Sequence, residues 1–164
     1  MLKLALAIII VALGGNAMAH ETETFTVYVT RHAEKVPDQV DPGLSNKGQQ
    51  RANNLAIMLK HTKLEKVLST KYKRTQETAA PVAAQFNLPV TTYAASDSEA
   101  LAKALLTEQR NALVIGHSNT VPTLVKFLGG DDFELSERDY GDVFMLQFHA
   151  DELIVTRLVV TVPE

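Results

Sequence analysis

The chain has 164 residues, 46% hydrophobic and 21% charged, with a formal net charge of -3. That composition excludes a disordered tail, a collagen-like fibre and a coiled coil, and the length predicts a single domain. With no cysteine in the chain, disulfides and thiolate metal sites are ruled out. The slightly acidic balance, without a long basic run, argues against a nucleic-acid surface.

The first segment reads as a label rather than as part of a fold. Lys3 precedes an unbroken apolar run from Leu4 to Leu13. Gly14-Gly15-Asn16 ends the run, and Ala17-Met18-Ala19 fits a small-x-small cleavage pattern. This is the pattern of a secretory signal peptide over 1–19. The run is too short for a membrane span, which needs about 20 apolar residues. The expectation is an exported protein, periplasmic or secreted, with no stable membrane anchor and one domain over 20–164.

Strands and helices then alternate. Phe25 to Thr30 is β-branched and aromatic, a strand. Ser45 caps a helix to about Lys60, with Ala52, Leu55, Ala56 and Leu59 on one face. Lys66 to Ser69 is a short strand. A helix from about Tyr72 to Phe86 groups Ala79, Ala83 and Phe86, and Pro81 is expected to kink or divide it. Pro89 to Thr92 is a strand. Ser96-Asp97-Ser98-Glu99 has the form of a capping box opening a helix to about Glu108. Ala112 to Ile115 is a buried strand. A helix capped by Asn119 or Thr120 follows, with Pro122 in its first turn and Gly129-Gly130 at its end. Val143 to Phe148 and Leu153 to Val160 form a hairpin around Ala150-Asp151-Glu152. The order predicts an α/β fold: three layers, a mainly parallel central sheet and helices on both faces.

In such a sheet, ligands bind beyond the carboxyl ends of the parallel strands. Three of those ends carry Arg31-His32-Ala33-Glu34-Lys35, Thr70-Lys71-Tyr72-Lys73-Arg74 and Gly116-His117-Ser118-Asn119-Thr120. Two guanidiniums and two imidazoles suit a tetrahedral oxyanion, because arginine binds phosphate bidentately and stays charged. The helix starting near Asn119 adds backbone N–H groups. Neutral imidazole can attack phosphorus. No HExxH, P-loop or G-x-S-x-G motif occurs, so no metal or other cofactor is expected. Asp131, Asp132 and Glu134 read as a solvated turn, and Lys71 and Lys73 as solvated surface. The loop from Val36 to Gly43 is placed to shape the site.

Taken in order, these segments resemble the histidine phosphatase superfamily, the phosphoglycerate mutase-like proteins, in its short exported branch. Arg31-His32-Ala33-Glu34 stands where that family has Arg-His-Gly and an acidic residue. Leu44-Ser45-Asn46-Lys47-Gly48 is similar to its Leu-Ser/Thr-x-x-Gly segment. Ser69 to Ala79 is similar to its Ser-x-x-x-x-Arg-x-x-Gln-Thr-Ala segment, with Arg74 as the arginine, and Gly116-His117-Ser118 to its Gly-His-Ser/Gly. The resemblance implies a phosphatase in which His32 becomes a phosphohistidine. Arg31, Arg74 and His117 would hold the phosphoryl oxygens, with Ser118 and Asn119 lining the substrate site and His117 protonated or presenting a proton-bearing nitrogen. It implies a phosphomonoester or phosphoramidate as substrate, for the exported branch an envelope sugar phosphate. Ala33 in place of glycine is expected to narrow the approach to His32. No segment matches the family's proton-donating glutamate, which leaves Glu34, Asp38, Asp41 and Glu99 as open candidates. The alternative reading is a phosphate-ligand binding module without turnover. Substrate identity and oligomeric state are not legible.

Overall fold

The computed structural model describes residues 24–136 and 138–163; the expected signal peptide lies outside them. The order is β1 (Thr24–Arg31), α1 (Asn46–Leu59), β2 (Lys66–Ser69), α2 (Lys73–Phe86), β3 (Val90–Thr92), α3 (Ser98–Glu108), β4 (Ala112–Gly116), α4 (Thr120–Phe127), β5 (Asp142–His149) and β6 (Glu152–Val159). One six-stranded sheet results, in the order β3-β2-β4-β1-β5-β6. The first four strands in that order pair in parallel, and β5 and β6 close the sheet as antiparallel strands. The α/β expectation holds, with the parallel part confined to one side.

The central strands read as continuous apolar runs because both faces are covered. In β4 every residue is buried. Leu113 and Ile115 point to the layer that packs α1 and α2, while Ala112 and Val114 point to the layer of α3 and α4. Truncating either fully buried large side chain to alanine costs about 2–5 kcal/mol.

Ser45 caps α1 as expected, its hydroxyl accepting from Gly48 N at 3.2 Å. Gly48 has a second reason to be glycine. A Cβ there would lie 2.1 Å from the carbonyl oxygen of Glu34, so the helix can approach the strand end only without a side chain.

Two local expectations are corrected. The helix α2 runs through Pro81 without ending. Proline costs roughly 3 kcal/mol in a helix interior, and burial of Ala79, Val82 and Ala83 on either side opposes that cost. The capping box does not form: α3 begins at Ser98, its cap residue Asp97 makes no side-chain cap hydrogen bond, and Glu99 is exposed.

Candidate active site

Register brings the two histidines together. Because β1 and β4 are parallel neighbours with Arg31 opposite Gly116, the next residue of each strand leaves the sheet at the same edge. His32 N donates to Gly116 O at 3.0 Å, and the His32 and His117 ring centroids lie 5.5 Å apart. On the other side of β4, Ser69 of β2 lies opposite Ile115, which sets Thr70 beside His117. Arg74 stands in the first turn of α2, facing the same point.

Each functional group is held by named partners. His32 is 3% exposed, and its Nδ1 lies 2.8 Å from the Ala33 carbonyl oxygen. A carbonyl only accepts, so Nδ1 carries the proton and Nε2 the lone pair. Ala33 N donates to Thr78 Oγ1 at 3.0 Å, and that hydroxyl donates to Arg74 O. The threonine of the Gln-x-Thr-Ala segment therefore ties the His32 turn to the Arg74 helix.

At His117, Arg74 Nη2 lies 3.4 Å from Nδ1. Arginine only donates, so Nδ1 is the acceptor and Nε2 bears the proton. Nε2 lies 3.0 Å from Thr70 Oγ1, which lies 2.8 Å from Thr75 Oγ1, which donates to Tyr72 O at 2.7 Å. Every donor in that chain points away from the site. The main-chain N of His117 is held by Thr120 Oγ1 at 2.9 Å, which is why that hydroxyl does not cap α4 in the expected way.

The guanidiniums are stacked as well as hydrogen bonded. Arg31, 4% exposed, donates from Nη1 to Ser136 O at 2.9 Å and lies over the Tyr140 ring at 4.2 Å. Arg74 lies over the Tyr72 ring at 4.7 Å, with Asp41 Oδ1 3.8 Å from Nη1. The two tyrosines carry no family motif, and sequence reasoning assigned them no role.

Both imidazoles are neutral. Burial above all pushes His32 down to about 3, with Arg31, Arg74 and His117 acting in the same direction and the Ala33 carbonyl opposing. Burial, then Arg74 and Arg31, brings His117 down to about 4. Burial and the two guanidiniums thus disfavour the protonated form of His117, and the nitrogen beside Arg74 is a lone-pair acceptor.

A pocket of about 430 Å³ opens over these groups, lined also by Lys35, Tyr72, Ser96, Ser118 and Asn119. No carboxylate lines it among the described residues. Glu34 turns instead to Arg51, with contacts of 2.9 and 2.5 Å. Asp38 and Glu99 are exposed and outside the lining, and Asp41 caps Lys73 N. The Ala33 methyl does not narrow the pocket; it is buried with Leu44 and Ala52. Among the described residues no cluster of His, Asp or Glu suits a metal ion, and Asp132 pairs with Lys126 at 2.8 Å in its exposed turn.

The fold is of phosphoglycerate mutase-like architecture, and the chain is similar in part to the histidine-dependent phosphatases. Residues 27–95 match the model of the histidine phosphatase superfamily (branch 1). His117 lies beyond the matched residues and joins the site through the sheet. The protein histidine phosphatase SixA, solved with tungstate, aligns with a TM-score of 0.69 and 20% identity over 82% of this chain and 96% of its own. Phosphoserine phosphatase from Entamoeba histolytica, solved with 3-phosphoglyceric acid, aligns with a TM-score of 0.62 and 17% identity over 84% and 98%. Phosphoglycerate mutase from Bacillus anthracis aligns with a TM-score of 0.61 and 18% identity over 84% and 93%. At these identities the likeness carries the fold. No curated protein matches the sequence.

Proposed function

We propose that the protein hydrolyses a small phosphorylated substrate through a phosphohistidine on His32 Nε2. The observation that carries this reading is the His32 ring, neutral, fixed by the Ala33 carbonyl and set between two guanidiniums. The Nε2 lone pair forms the N–P bond while the bond from phosphorus to the leaving oxygen breaks, and that oxygen takes its electron pair and then a proton. Water next attacks phosphorus, the N–P bond breaks, and inorganic phosphate leaves. Charge spreads over three equatorial oxygens during each step, where Arg31 and Arg74 stabilise it. As negative charge arrives beside His117, protonation of Nδ1 becomes favourable, and that nitrogen changes from acceptor to donor.

The lining without a carboxylate suits a leaving group that departs without a strong acid, such as an aryl ester or a phosphoramidate. The SixA likeness is compatible with the second. An exported protein, cut after Ala19, would meet envelope sugar phosphates, and those stand as the candidate natural substrates. The same lining also favours the second reading, a phosphate-ligand binding module. Turnover of p-nitrophenyl phosphate between about pH 5 and pH 8, absent in His32→Ala, supports the enzyme. Phosphate binding without turnover supports the module.

A further inference from the structure

A second cleft opens beside the phosphoryl pocket, beyond the carboxyl ends of β2 and β3. It has a volume of about 500 Å³ and shares Tyr72, Ala95 and Ser96 with the first pocket, so the two adjoin at the Tyr72 side chain. Its own wall includes Lys71, Thr92 and Tyr93. The loops after two parallel strands are where an α/β sheet places the rest of a ligand whose reacting group sits at the switch between strands.

We propose that this cleft receives the leaving group of the substrate, and that Lys71 selects leaving groups carrying a second negative charge. This rests on the phosphatase reading above. The charge inventory is one-sided. Among the described residues, the ionisable walls of the two pockets are cationic or neutral, with Lys35 at the first and Lys71 at the second, and no carboxylate lines either. Lys71 is exposed, and no hydrogen bond or ion pair to it is found among the described residues, in contrast to Lys66 and Lys126, which pair with Glu108 and Asp132. A cationic leaving group would find no counter-charge here and would be repelled by Lys71. A planar anionic one would lie against Tyr72 and Tyr93 with its charge toward the ammonium. The first pocket selects the phosphoryl group, and the second selects what is attached to it.

The test uses three esters of similar leaving tendency: 4-carboxyphenyl phosphate, phenyl phosphate and 4-(aminomethyl)phenyl phosphate. The readout is the ratio of kcat/KM for the anionic over the cationic ester, measured in the wild type, Lys71→Met and Lys71→Glu. Exposed charge pairs are modest and salt-screened. The ratio should therefore fall roughly two- to fivefold for each charge removed, further in Lys71→Glu than in Lys71→Met, and the wild-type ratio should shrink in high salt. A merely structural loss lowers all three esters together and leaves the ratio unchanged, which would overturn the proposal. The same ratio is read from Kd of the matching arylphosphonates, which have no scissile ester bond. If no ester is turned over, the phosphatase reading fails while the phosphonate ratio still decides the role of Lys71.

Discussion

At the end of β1, His32 has its Nδ1 against a carbonyl, 2.8 Å away. At the end of β4, His117 has its Nε2 against a hydroxyl, 3.0 Å away. The two rings are neighbours and both are neutral, yet opposite nitrogens are left for the ligand. A carbonyl can only accept, so the tautomer of neutral His32 does not depend on what binds. Thr70 both accepts and donates, and the other face of His117 meets a guanidinium, so the state of His117 responds to charge in the pocket. On the proposed mechanism the pair thus separates two tasks, a nucleophile of constant tautomer and an anion partner that adapts.

The largest loss is expected at His32. Replacing it by alanine removes the attacking atom, and kcat should fall by roughly 10⁴-fold or more, with inorganic phosphate still binding. His117→Gln keeps a polar group but no titratable one. It should cost roughly 10²- to 10³-fold in kcat/KM, while phosphohistidine still forms. Thr70→Val keeps the volume and removes the acceptor of Nε2–H; a loss of about tenfold is expected, read by kinetics together with the His117 tautomer in NMR spectra.

The smallest effect is a proton. Phosphate bound beside His117 raises its affinity for protons, so binding near pH 6 should take up a fraction of one proton. Calorimetry in buffers of different ionisation enthalpy measures that uptake, which His117→Gln should abolish. The same burial makes acid destabilising. Unfolded imidazoles take up protons near pH 6.5, and the folded ones only near 3 and 4. Stability from these groups is full above that window and is lost as pH falls through it. A variant lacking both rings should show a flatter fall of Tm between about pH 7 and pH 5.

Much of this site was legible before the fold was seen, because its parts sit at strand ends that the chain order places on one edge. Arg31, His32, Arg74 and His117 converge as their motif positions imply, and Gly48 has a steric reason that its motif does not reveal. The partners were not legible. Thr70 meets His117 only through the β2–β4 register, and Tyr72 and Tyr140 stack on guanidiniums 2 and 109 residues away in sequence. Local rules failed where tertiary contacts compete with them. The Glu99 cap lost to the actual start of α3, and, of the kink or division expected at Pro81, the division lost to the packing of α2. Glu34, a candidate acid by proximity to His32, is turned to the far side by Arg51.

The most direct test of the central claim is to stop turnover in acid-free denaturant and locate the phosphoryl group by mass spectrometry and phosphorus NMR. An acid-labile, base-stable label is expected on Nε2 of His32 alone. A label on His117 or Ser118, or steady turnover with no labelled enzyme at any time, would contradict it.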